Sequence, residues 1–115
     1  MSNKPSANAP LGTFEEQVML AVLRTRPEAY GMGVRREIER VTGRDVSIGA
    51  VYATLDRLEA KELLVSSRGV AEGARRVFAA TADGFLALAE SRAMRDRLWR
   101  GIDLGRLSKD GYTPG

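Results

Sequence analysis

The stretch Val46-Ser47-Ile48-Gly49-Ala50-Val51-Tyr52-Ala53-Thr54-Leu55-Asp56-Arg57-Leu58-Glu59 decides how this chain folds. Ser47 is a side chain that accepts hydrogen bonds from the first backbone amides of a helix, so a helix is predicted to start after it. Val51, Leu55 and Leu58 then recur at the spacing of one helical stripe, which marks the inner side. At about 100° per residue, Gly49, Tyr52, Ala53, Asp56, Arg57 and Ala60 fall on the outer half. The small residues Gly49, Ala53 and Ala60 let the helix backbone approach a flat or grooved surface closely. Tyr52 and Arg57 can reach phosphates or base edges, and an arginine fork suits guanine O6 and N7. The bland reading of the same face has Tyr52 packing sideways against its own domain and Arg57 solvated.

Upstream, residues 13–26 read as a helix. Thr13 is its cap, Glu15 and Glu16 lie in the positive first turn, and Arg24 and Arg26 lie near the negative end. Residues 18–23 are apolar all round, which predicts a buried helix, and Pro27 stops it. After a turn at 27–31, Val34, Ile38 and Val41 mark the buried stripe of a second helix, and Thr42-Gly43 ends it with a left-handed glycine. Downstream, 63–67 and 75–80 read as two strands of a hairpin around the turn 68–74. Arg68, Arg75 and Arg76 stand at its tip or base against Glu72 alone, an arrangement suited to a sugar-phosphate backbone or a minor groove. Edge charges that only prevent strand-to-strand aggregation are the alternative. Thr81 then caps a long helix reaching about Arg100 or Ile102.

Two helices joined through a short connector, followed by a basic hairpin, make an α+β, mainly α fold: a winged helix-turn-helix with a long C-terminal dimerisation helix. The organisation expected is a flexible arm at 1–10, a DNA-binding domain at 11–80, the dimerisation helix at 81–102 and a tail at 103–115. Phe85, Leu88 and Ala89 are expected to close over the core. Met94, Leu98, Trp99 and Ile102 exceed what so small a domain needs to cover, and an apolar patch of that kind marks a homodimer interface. Folding back onto the first helix is the alternative.

Composition removes other classes. The chain has 115 residues, enough for one small domain, and contains neither cysteine nor histidine. Disulfides, thiol nucleophiles, Cys/His zinc sites and histidine bases are therefore excluded. Gly31-Met32-Gly33 starts a helix, with Arg36 where a dinucleotide loop needs its third glycine. No enzyme activity, metal or cofactor is expected. The formal net charge is +3, split as +1 over residues 1–12, −1 over residues 13–62 and +3 over 63–115. The basic excess falls on the hairpin and last helix, and it predicts moderate, salt-sensitive affinity for nucleic acid. No apolar run approaches the roughly 18 residues of a membrane span, and residues 1–10 do not read as a secretory signal. A cytoplasmic, nucleoid-associated location is expected.

The segments Leu11-Gly12-Thr13-Phe14-Glu15, Ala29-Tyr30-Gly31, the stretch from Val46 to Glu59 and Arg75-Arg76-Val77-Phe78-Ala79-Ala80-Thr81-Ala82-Asp83-Gly84 together resemble the PadR family of transcriptional regulators. The resemblance covers roughly residues 11–102, and the single C-terminal helix is similar to the family's short subgroup. It implies a homodimeric repressor on a pseudo-palindromic operator in double-stranded DNA. The third helix would enter the major groove and the wing would touch the backbone or minor groove. Carried over, Ser47, Gly49, Tyr52, Ala53 and Arg57 would contact the operator from the recognition helix, with Arg75 and Arg76 in the wing. The resemblance also implies a small apolar or aromatic effector near the dimer interface, where Met94, Leu98 and Trp99 either form its site or are plain packing. The chain departs from the family pattern at Val77, where an aromatic residue is common, and at Glu62, which stands where glycine usually ends the recognition helix. Either Glu62 is left-handed, at roughly 1 kcal/mol, or the helix ends differently. A winged-helix adaptor that binds protein instead of DNA is the competing function.

Overall fold

The computed structural model describes residues 10–69 and 73–109. The expected arm before Pro10, residues 70–72 of the hairpin loop and the tail from residue 110 lie outside the described residues. Helix α1 spans Thr13–Thr25, α2 Gly31–Thr42, α3 Ile48–Ala60 and α4 Ala82–Trp99. Strands β1 (Leu64–Arg68) and β2 (Arg76–Ala80) pair antiparallel from Leu64↔Ala80 to Arg68↔Arg76. The Phe78 N–H also donates to the Ala29 carbonyl at 2.9 Å, which ties the hairpin to the α1–α2 turn. A short helix α5 (Leu104–Lys109) occupies part of the expected tail, with Asp103 Oδ1 accepting from the Arg106 N–H.

The local stop and start signals act as their chemistry dictates. Ser47 caps α3 by accepting from the Ala50 N–H at 3.0 Å, and Thr81 caps α4 by accepting from the Gly84 N–H at 3.0 Å. Gly43 ends α2 at φ 71°. At α1 the cap is Gly12 and Thr13 is the first helical residue; the Glu15 carboxylate reaches back to the Gly12 N–H at 2.9 Å.

One core joins all the layers. Val18, Met19 and Val22 of α1, Val34 and Ile38 of α2, Val51, Leu55 and Leu58 of α3, and Leu63, Leu64 and Phe78 around the hairpin are buried together. Three expectations change here. Leu20 is exposed in α1 and Val41 in α2, because these two helices pack on each other along one line and leave their far flanks to solvent. In α4 the inner stripe is Gly84, Ala87, Leu88 and Ser91, while Phe85 and Ala89 face outward.

Glu62 is left-handed, with φ 62°. The Glu62 N–H donates to the Glu59 carbonyl and the Leu63 N–H to the Leu58 carbonyl, each at 2.9 Å, so α3 ends in the motif that normally employs glycine. Glu62→Gly is therefore expected to raise stability by about 1 kcal/mol, seen as a higher denaturant midpoint at unchanged slope. An unchanged midpoint would mean that interactions of Glu62 offset the strain.

Glu37 clamps α1 to α2. Its carboxylate accepts from Arg40 Nη2 and Arg24 Nε, both at 2.7 Å, and these bonds hold its pKa down at about 2. A carboxylate whose pKa is lowered by folding adds stability above its ordinary value of 4.5, and that stability is lost as pH falls toward about 2. The melting temperatures of wild type and Glu37→Gln are accordingly expected to differ at neutral pH and to converge through that window. A difference that is constant with pH would count against the clamp.

Candidate nucleic-acid interface

The outer face of α3 is open. Gly49 and Ala53 are exposed, and a Cβ placed on Gly49 would meet nothing within 4 Å. Ser47 is exposed, with its hydroxyl oxygen engaged in the cap. The Tyr52 ring lies across Gly31 at the start of α2: a Cβ on Gly31 would sit 2.4 Å from Tyr52 Cζ and 2.5 Å from its hydroxyl oxygen. Only glycine leaves room for that ring. Tyr52 remains 38% exposed, so it packs sideways and also faces solvent, combining both sequence readings.

The second half of α3 is held from two sides. On one side stands Glu15, almost buried, whose carboxylate accepts from Lys61 Nζ at 2.7 Å and Arg57 Nε at 3.3 Å. Burial pushes its pKa up, but the bonds from Lys61, the Gly12 N–H and Arg57 outweigh that and set it below the ordinary value. Arg57 Nη2 also donates to Thr54 Oγ1 at 3.2 Å, so two edges of this guanidinium are engaged within the chain. On the other side Arg76 reaches from β2 to Asp56 at 3.1 Å and Glu59 at 2.7 Å. Burial lowers the Arg76 pKa, and the bonds to Asp56 and Glu59 more than reverse this. Ser66 Oγ donates to Glu59 at 2.8 Å, which locks the same carboxylate to β1.

This geometry places the named arginines unequally. Arg76 neutralises two carboxylates beside the open face of α3, and carboxylates left unpaired there would repel an approaching anion. Arg75 stacks its guanidinium 3.8 Å from the centroid of the Tyr30 ring, an aimed cation at the loop end of the hairpin. Arg68 Nη1 donates across the hairpin to the Ala74 carbonyl at 3.1 Å. Glu15, placed by its sequence in the first turn of α1, and Tyr30, within the segment Ala29-Tyr30-Gly31, are not expected at this interface from the sequence. Spacing and motif place each residue on its own element but do not reveal a partner so far along the chain.

Toward the end of α4, Met94 is half-buried, whereas Leu98 is 71% and Trp99 56% exposed. The helix stops at Trp99, where Arg100 turns extended and Gly101 left-handed, so Ile102, expected within it, lies beyond its end at 48% exposure. Leu104 and Leu107 of α5 extend the same exposed apolar run. In the single chain these side chains do not fold back onto α1.

A model of the Transcriptional regulator PadR-like family matches residues 19–90. The chain belongs to this family. Over 89 residues it is 45% identical to the transcriptional regulator Rv3488 of Mycobacterium tuberculosis, covering 76% of this chain and 78% of that protein. It is similar to the PadR-like transcription factor of Bacteroides fragilis at TM-score 0.66 and 25% identity, covering 76% of this chain and 84% of that one. RosR of H. salinarum superposes at TM-score 0.68 and 22% identity over 95% and 91% of the two chains, a likeness of fold alone. The family, Rv3488 and the Bacteroides fragilis protein are transcriptional regulators, not enzymes. This PadR-like protein is thus a DNA-binding regulator with a winged helix and a long C-terminal helix, which sets aside the adaptor reading. Among the described residues no helix is long and apolar enough to cross a membrane.

Proposed function

We propose that this PadR-like chain is a homodimeric repressor that reads a pseudo-palindromic operator with the first half of α3. One observation carries the reading: α3 is clamped by ion pairs at its second half while its outer face, from Ser47 through Gly49 and Tyr52 to Ala53, stands open. A fixed helix with a small-residue face fits a major groove at low entropic cost. Arg57 keeps one amino group for a phosphate or base while Glu15 and Thr54 hold the rest. Arg75, set over Tyr30, serves the sugar-phosphate backbone from the wing, and Arg76 acts through Asp56 and Glu59. Two copies would join along Met94, Leu98, Trp99 and Ile102. A small apolar or aromatic effector would be held between the two copies at Trp99, since this ring stands open in one chain.

The test is a titration of the full chain against duplex DNA from its own upstream region at low and physiological salt, with scrambled DNA as control. Selective binding that survives physiological salt is expected. Arg75→Ala is expected to weaken both probes alike and to reduce the salt slope by about 1. A loss confined to the specific probe would place Arg75 on bases, and equal, salt-fragile binding of both probes by the wild type would overturn operator reading at that site.

A further inference from the structure

We infer that the first turn of α1 is the joint through which α4 sets the attitude of the recognition helix, with Glu15 and Glu16 as positioning residues for DNA recognition. These neighbours point in different directions along the helix and are each spent on a different element. Glu15 holds Arg57 and Lys61 of the α3 end. Glu16 forms an ion pair with Arg95 of α4. Both carboxylates are mostly withdrawn from water, with side-chain exposures of 11% and 13%, so neither is an ordinary surface charge. Withdrawing a carboxylate is costly unless it is paired, and such pairs are better suited to fixing geometry than to adding stability.

A third link reinforces the joint. The Leu11 N–H donates to Ser91 Oγ at 3.4 Å, and Ser91 is buried one helical turn before Arg95 on α4. Residues 11, 12, 15 and 16 therefore connect the α4 face that carries Ser91 and Arg95 to the end of α3. At its start α4 is held by Thr81 and Gly84, which lie against Glu62, Leu63 and Met19, and Ala87 and Leu88 continue the same core, so the ion pair to Glu16 anchors the half of α4 that lies beyond this junction. Two charged anchors on successive residues of one rigid turn convert a tilt of α4 into a tilt of α3.

This inference rests on the homodimer reading, because the attitude of α3 relative to α4 then sets the distance between two reading helices. A pseudo-palindrome with fixed half-site spacing tests that distance directly. The probes are a full duplex selected by the wild-type chain from a random-sequence library, the same duplex lengthened by one or two base pairs at its centre, and a duplex carrying one half-site.

Glu16→Gln is expected to lose about tenfold on the full duplex, to bind the half-site duplex within about twofold of wild type, and to discriminate less against the lengthened duplexes. Arg95→Gln should match it, and the exchange Glu16→Arg with Arg95→Glu should recover part of the loss. Glu15→Gln, whose arm ends on the recognition helix itself, is expected to weaken full and half duplexes together. Thermal melts identify any variant that merely unfolds. Full-duplex affinity within about twofold of wild type for both Glu16→Gln and Arg95→Gln overturns the joint, as does an equal loss on full and half duplexes. Sedimentation showing a wild-type monomer overturns the homodimer reading and the joint with it. A wild-type dimer with unaffected Glu16→Gln and Arg95→Gln overturns the joint alone.

Discussion

Gly84→Ala is expected to destabilise the protein by at least about 3 kcal/mol and to lower its melting temperature by roughly 10 °C or more. A Cβ at this position would lie 2.2 Å from the Leu63 carbonyl oxygen and 3.0 Å from Met19 Cε. The methionine end can rotate away. The carbonyl cannot, because it accepts from the Thr81 N–H at 3.1 Å and belongs to the segment that opens the hairpin. Thr81 is itself the α4 cap and donates its hydroxyl to the Glu62 carbonyl at 2.7 Å, so the whole α3–β1–α4 junction is interlocked. The helix must therefore lift, which uncovers Ala87 and Leu88. Circular dichroism melts decide it, with Gly33→Ala as control. A Cβ on Gly33 meets nothing within 4 Å, and alanine in a helix is favoured, so the control should melt at or slightly above wild type. If Gly84→Ala melts with the wild type, the close approach of α4 to Leu63 is wrong.

The double substitution Leu98→Asp with Trp99→Asp is expected to convert the proposed homodimer to a monomer, raising the dimer dissociation constant by about a thousandfold or more. Leu98, Trp99, Ile102, Leu104 and Leu107 form an exposed apolar run at one end of the chain, and such a run on a small soluble domain marks a contact surface. Two carboxylates placed in that contact would have to be desolvated without partners. Affinity for the full operator should fall with the dimer, by about a hundredfold, because the second half-site contact loses its high effective concentration. The fold of each chain should persist, since both side chains touch little of their own domain. Sedimentation equilibrium is the measurement. A dimer that survives would move the contact elsewhere on α4, with exposed Phe85 and Leu86 as the next apolar pair.

Where the fold follows from neighbours along the chain, it is legible in the residues themselves. Ser47 and Thr81 announce helix starts, Gly43 announces a stop, and Val51, Leu55 and Leu58 keep to one buried stripe. Glu62 shows the same rule under strain: the register of α3 demands a left-handed residue there whether or not it is glycine. Periodicity also marks which way a residue points, but not whether anything waits there. Leu20, Val41 and Phe85 carry the same apolar signal as the core, yet no element among the described residues covers them.

The candidate site divides in the same way. The winged-helix order, the small-residue face of α3 and the apolar surplus from Met94 onward are written in the residues, because each arises from propensity and spacing over a few turns. What the charges do is set by packing between distant segments. Arg57 meets Glu15 across 42 residues and Lys61 meets it across 46, while Arg76 reaches back 20 residues to Asp56. An arginine read along the chain is equally a base reader, a phosphate contact or a strut, since its long side chain can serve each partner alike. Packing brings one particular carboxylate within reach, and the cost of leaving that carboxylate unpaired away from water then selects among the three.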